Sequence, residues 1–191
     1  MKLNKTLLLQ LNKHLIQIRM GGVEVIIKKL RSFIYLILQM PIYLMSVPTV
    51  IIIRLIRPWF LIRWQQLFSS RLGHFGIDTK LYCCERDAGI NSPSQRYMDV
   101  FYLGKYVSNK QMEKMWRRSL IILPRWLLFP LFIVNRFISR FASGGNYHEI
   151  GNSAGGLNTN GDRDVYNLID QSKPHINFTY DEEAEGKRLL T

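Results

Sequence analysis

The chain is poor in cysteine, histidine and acid. Its two cysteines, Cys83 and Cys84, stand side by side among 191 residues. No disulfide framework follows from that arrangement, and a reducing compartment is expected. The four histidines, His14, His74, His148 and His175, are scattered without metal-ligand spacing, so no bound metal is expected. The sequence contains no dinucleotide-binding glycine fingerprint, no P-loop and no Gly-x-Ser-x-Gly nucleophile motif. A clean signal peptide is also missing: basic residues recur through Lys29, and no small-residue cleavage site follows a short apolar core.

What is present is positive charge and apolar bulk. There are 26 Lys+Arg against 14 Asp+Glu, a net charge of +12, and 47% of the residues are hydrophobic. That apolar content excludes a disordered basic tail. The charge is uneven: residues 1–150 hold 22 basic and 7 acidic side chains, residues 151–191 hold 4 and 7. The basic residues interleave with long aliphatic runs instead of forming a polar stripe. A membrane lipid surface is therefore the expected partner, and nucleic acid is not.

Residues 1–57 read as a basic, amphipathic to hydrophobic, membrane-associating segment. Leu8, Leu11, Leu15 and Ile18 recur at helical spacing until Gly21 and Gly22. Residues 32–53, "SFIYLILQMPIYLMSVPTVIII", carry no charged side chain, and roughly 22 residues of helix cross a hydrocarbon core of about 30 Å. Lys28, Lys29 and Arg31 precede this run, and Arg54 and Arg57 follow it, so these five are expected to contact the membrane. Basic flanks on both sides give no clear inside, and Pro41 and Pro48 would break or kink a helix. Three readings stay open: one spanning helix, a bent segment inserted in one leaflet, and a buried core helix.

After Pro58 the pattern alternates. "WFLIRW" has strand length, "FGIDTKLYCCER" reads as a helix, and "DAGINSPSQR" as turn. "YMDVFYL" is a second strand ending at Gly104. Ser108 and Gln111 form a capping-box signature before a helix faced by Met112, Met115, Trp116 and Leu120. Strand, loop, helix, repeated, points to a parallel α/β sheet over 58–171. Ligands in such sheets sit beyond the carboxyl ends of the strands, where Ser69–His74 and Ser108–Gln111 fall. Residues 117–141 read as an arginine-rimmed interfacial apolar patch, with Arg125, Trp126 and Arg136 as membrane contacts, or as a buried core run. Residues 143–161 are a Gly/Asn/Ser-rich loop, followed by a helix capped by Asp162. Residues 172–191 are a linker and a final helix begun by a Thr179/Glu182 capping box.

The junction "SSRLGHFGIDT" supplies a candidate anion site. Arg71 would neutralise a phosphate, Gly73 would let a backbone approach closely, and His74 can donate to a hydroxyl or anion. Ser70 sits beside them. His148 and Glu149 are an adjacent acid/base candidate pair near the glycine-rich loop. For each the plainer alternative is a solvated charge or a satisfied, partly buried histidine.

Taken together, "LIRPWFLIRWQQLFSSRLGHFGIDTKLYCCERDAGINSPSQRYMDVFYL", "NKQMEKMWRR", "HEIGN", "DRDVYNLID" and "FTYDEEAEGKRLL" resemble the amino-terminal half of a family of bacterial glycosyltransferases of surface-polysaccharide gene clusters. The resemblance runs from about Leu55 to the end, and "SSRLGHF" and "CERDAGIN" are its most specific segments. It implies half of a two-domain GT-B-type fold: a Rossmann-like parallel sheet preceded by a membrane-associated helical segment. It further implies a nucleotide-sugar donor, no other cofactor, and a glycan or lipid-linked acceptor, at the cytoplasmic face of the bacterial inner membrane. By that analogy His74, His148 and Glu149 are the catalytic candidates, and Ser70, Arg71, Gly73 and Asn109 the substrate-binding ones. Family members continue into a second, donor-binding domain, so the expectation is a chain inactive alone, or one completed by a separate donor-binding chain. The alternative is a non-enzymatic membrane or interaction protein derived from such an enzyme.

Overall fold

The structure, a computed structural model, describes residues 2–151 and 163–190, and side chains from Glu24 onward apart from 32, 35, 36 and 190. By its contacts the chain divides into two compact units, Met1–Met45 and Ser46–Thr191. Residues 46–57 thus belong with the α/β unit, whereas the sequence reading groups them with the amino-terminal segment.

Helix α1 runs Lys2–Ile56. Neither Pro41 nor Pro48 interrupts it, because every residue between its ends keeps helical conformation. The anticipated break is not there. Its stretch Ile37–Ile56, 20 residues with a mean hydropathy of 1.6, is long and apolar enough to cross a membrane. Only 11% of that stretch is buried, unlike the helix at the centre of a soluble core.

In the second unit the alternation yields a mixed α/β fold. Strand β1 (Leu61–Leu67) leads through α2 (Leu72–Asp87) to β2 (Tyr97–Leu103). Helix α3 (Lys110–Ser119) then leads to the two-residue β3 (Ile121–Ile122), and α4 spans Arg125–Ile138. The sheet is parallel and open, in the order β1-β2-β3, with Leu61 opposite Tyr97 and Val100 opposite Ile121. Strand β2 matches the run "YMDVFYL" residue for residue. Strand β3 lies inside the apolar run 117–141, where two residues of strand carry no period of their own.

Both faces of the sheet are covered. On one face Leu67, Phe101 and Leu103 meet Phe75, Tyr82 and Cys83 of α2 and Trp116 of α3 in the main core. The Trp116 indole donates to the Phe75 carbonyl at 3.1 Å, so this buried core indole is satisfied. On the other face Tyr102 packs edge-on against Phe129 of α4 and tilted against Phe132. Strands buried on both faces read as near-continuous apolar runs; β2 fits this apart from Asp99, whereas β1 carries Arg63, Gln65 and Gln66 among its apolar residues.

Past α4 a short 3-10 turn spans Gly145–His148. Residues 148–150 then run along the free edge of β1, with Glu149 bridging Trp64 in parallel and the Ile150 N–H donating to the Trp64 carbonyl at 3.4 Å. Helix α5 (Leu168–Gln171) starts where both Asp164 carboxylate oxygens accept backbone N–H bonds, from Leu168 at 2.7 Å and Ile169 at 2.9 Å. Asp162, the capping candidate in the sequence, lies outside the described residues. Thr179 and Glu182 form the anticipated reciprocal box at the start of α6 (Tyr180–Leu190). The segment 172–190 folds back on the α/β unit. His175 Nε2 lies 2.8 Å from Asp87 of α2, Ser119 donates to the His175 carbonyl, and Arg118 pairs with Glu182.

Candidate functional site

At the carboxyl ends of the strands the junction "SSRLGHF" divides by residue. Ser69 is fully buried and ties two loops together. Its hydroxyl donates to the Tyr106 carbonyl at 2.7 Å and accepts from the Gly104 N–H at 2.9 Å, while its own carbonyl accepts from Ser108 N–H at 2.7 Å. Ser70, Arg71 and Gly73 are exposed. Arg71 takes the N-cap position of α2 in extended conformation, without a side-chain cap. His74 Nδ1 lies 3.0 Å from the buried Asp78 carboxylate one turn on. A Cβ on Gly73 would meet nothing within 4 Å. Gly104 is the tight one: its Cβ would lie 3.1 Å from the Ser69 hydroxyl. Asn109, not Ser108, is the N-cap of α3, and its side chain accepts from the Met112 N–H at 2.9 Å.

His148 and Glu149 point to different surroundings. His148 is fully buried, stacked on Trp64 with ring centroids 5.4 Å apart, and its Nδ1 donates to the Ile62 carbonyl at 2.7 Å. Burial holds its pKa below the usual imidazole value, so the ring is neutral near pH 7. Its Nε2 is buried with no partner among the described residues. Glu149 sits outside, gripped by Arg136 through Nε at 3.0 Å and Nη2 at 2.9 Å. The two side chains that adjoin in sequence are therefore not brought onto one reacting atom.

The remaining expected membrane contacts are spread over two helices. Lys28 and Arg31 are exposed and Lys29 half-buried along α1. Arg54 is pinned to the carboxyl end of α4, donating to the Asn135 side chain at 3.0 Å and to Ser139 Oγ at 2.5 Å. Such a cation suits the carbonyl-rich end of a helix. Arg125 lies over the Phe129 ring at 4.2 Å, and Arg136 over Phe132 at 4.5 Å. Trp126 is exposed, with Ile133 and Phe137 on the same face of α4, opposite the buried Leu128, Leu131 and Asn135.

A concavity lies at the other end of the sheet. A cleft of about 470 Å³ opens at the amino ends of β1 and β2, walled by Arg57, Leu61 and Arg63, the turn Asn91–Gln95, and Asn146, Tyr147 and Glu149. Arg63, which lines it, has Asp99 as its direct cross-strand neighbour. The guanidinium donates to both carboxylate oxygens, Nε to Oδ1 at 2.7 Å and Nη2 to Oδ2 at 2.6 Å, and Nη1 donates to the Asn91 carbonyl at 2.8 Å. Tyr82 adds a donor to Asp99 Oδ2 at 2.5 Å, and burial with the adjacent carboxylate drives its phenol pKa far up. A buried pair this fully bonded is costly to break, about 3–5 kcal/mol when one partner is removed. Sequence reading does not single it out; the available signal is Arg63 set between Ile62 and Trp64 in β1, and Asp99 set between Met98 and Val100 in β2.

Among the described residues no group of three or more His, Cys, Asp or Glu side chains is gathered for a metal. Both cysteines are buried and free, and Cys84 donates to Ser172 Oγ at 2.9 Å. Burial pushes the Cys83 thiol up to about 12, which makes it unreactive. The class defined so far is a parallel α/β unit with an arginine-bearing cleft at the amino ends of its strands. Comparison with known proteins adds no narrower identity: no family model, no curated protein and no solved structure matches the chain.

Proposed function

We propose that the chain is a membrane-associated protein carrying the acceptor-side part of a glycosyltransferase, its parallel sheet being a Rossmann-like half of a two-domain fold. The observation that carries this reading is the direct junction between the exposed apolar helix Ile37–Ile56 and the first strand of a parallel sheet. That junction suits a domain held against a lipid surface, on the cytoplasmic face where sugar nucleotides are found. The exposed face of α4, with Trp126, Ile133 and Phe137, supports the same placement. In this reading Ser70, Arg71 and His74 face the acceptor at the carboxyl ends of the strands, and the donor is a nucleotide sugar bound by a separate domain. The test is sugar transfer from nucleotide-sugar donors to a bacterial lipid extract, with the chain alone and with a donor-binding partner. His74→Ala is expected to lower turnover by about 10²-fold. No transfer under any pairing would sink the enzymatic reading.

A second reading is favoured by a specific observation. Asn109 is used as a helix cap, His148 is buried against Trp64, and Glu149 is held by Arg136. Side chains so engaged suit a non-enzymatic membrane or interaction protein. Membrane binding without transfer is its expected signature.

A further inference from the structure

We infer that the cleft at the amino ends of the strands binds a phosphate-bearing ligand, with Arg57 as its anion anchor. Its volume of about 470 Å³ falls in the range of small-ligand sites. The charges in and around it do not cancel. Arg63 is neutralised by Asp99, and Glu149 by Arg136. Among the described residues Arg57 has no carboxylate partner, and its guanidinium donates no hydrogen bond. Among the described residues Arg54 nearby bonds only to neutral acceptors, the Asn135 side chain and carbonyl, the Ser139 hydroxyl and the Ala142 carbonyl. Two uncompensated guanidinium groups therefore set the local field, and that field favours an anion.

Arg57 is also built in place. It is half-buried, and its guanidinium lies over the Tyr147 ring at 4.0 Å. Its carbonyl accepts from the Gln95 side chain at 2.7 Å. Gly144, at φ 99°, leaves the space: a Cβ there would lie 2.8 Å from Arg57 Nη1. A stacked guanidinium loses little rotamer freedom when it captures an oxyanion, and its planar fork matches two phosphate oxygens. Ser92, Ser94 and Asn146 on the same walls offer hydroxyl and amide groups for a polyol attached to the phosphate. The phosphate belongs either to a soluble phosphate ester or to a lipid headgroup, and the same contacts serve both. This site lies at the opposite end of the strands from Ser69–His74 and stands apart from the transferase reading.

The test uses the full chain in non-ionic detergent, titrated calorimetrically with glycerol 3-phosphate, and the full chain floated with phosphatidylglycerol or phosphatidylcholine vesicles. Arg57→Gln removes the anchor, and Ser94→Trp fills the cleft from its exposed rim. Saturable binding of glycerol 3-phosphate, weakened about 10- to 100-fold by either variant, supports a soluble ester as ligand. A silent titration, with phosphatidylglycerol-dependent flotation that both variants weaken, supports a lipid headgroup. The inference is overturned if neither arm binds, or if binding persists unchanged in both variants with their circular dichroism intact. Should Arg57→Gln fail to fold, Ser94→Trp alone decides by the same readings.

Discussion

Fully buried, His148 keeps its imidazole neutral through desolvation, with one nitrogen bonded to the Ile62 carbonyl. In the unfolded chain the same ring titrates near 6.5. The folded pKa is the lower of the two, so the unfolded state binds more protons as pH falls below about 6.5, and folding loses free energy there. The stabilisation is complete above that value and is lost as pH falls toward and through the folded pKa. Thermal melts between pH 7.5 and about 5 should show a falling midpoint in the wild-type chain. His148→Phe, which keeps the stacking area on Trp64, should flatten that dependence. An equally steep profile in the variant would assign the effect to other groups. The consequence for function is direct: a ring held neutral and bonded in this way supports the β1 edge, and its neighbour Glu149 answers to Arg136 instead.

The turn after α4 shows why two adjacent glycines are needed there. Gly144 makes room for Arg57, and Gly145 makes room for Arg54 and Ser139. A Cβ on Gly145 would fall 1.6 Å from Ser139 Oγ and 2.4 Å from Arg54 Nη2, so both must be expelled from the end of α4. Gly145→Ala should destabilise the fold by about 1–3 kcal/mol in chemical denaturation, an overpacking cost. Gly73→Ala is the contrast. It sits inside α2 with open space around it, and should stabilise by about 0.5–1 kcal/mol through helix propensity. Equal effects at the two positions would refute this account of the turn. Helix α6 is tethered by charge: Arg118 and the Thr179 N–H hold the Glu182 carboxyl down to about 2.

For the chain as a whole, charge and apolar exposure point to one environment. Most of the excess Lys and Arg precedes residue 151, alongside α1 and α4, whose exposed side chains include Leu44, Leu55, Trp126 and Phe137. Exposed apolar surface of this extent needs a lipid or protein partner in water. If Ile37–Ile56 spans or is embedded in a bilayer, alkaline carbonate should leave the chain in the membrane pellet and non-ionic detergent should release it. Complete release by carbonate would leave only the peripheral contacts of α4 and the basic side chains.

Features legible in the sequence share one property: their signal is local. The β-rich run "YMDVFYL", the helical period after Asn109, the Thr179/Glu182 box and the apolar stretch ahead of Pro58 each declare themselves within one contiguous stretch of chain. They are enough for a parallel α/β alternation behind an apolar helix. The cap at Asn109 was misplaced by one residue because Ser and Asn compete equally for that position. What tertiary structure alone decided is which distant polar groups meet. Arg63 finds Asp99 because strand register sets them opposite each other, and Tyr82 reaches the same carboxylate from α2. Tyr147 and Gly144 seat Arg57 only once the turn after α4 has returned to the start of β1. Periodicity reports which face of an element is buried. It carries no information on which charge lies across the sheet, and so the cleft at the amino ends of the strands emerges only from the folded chain.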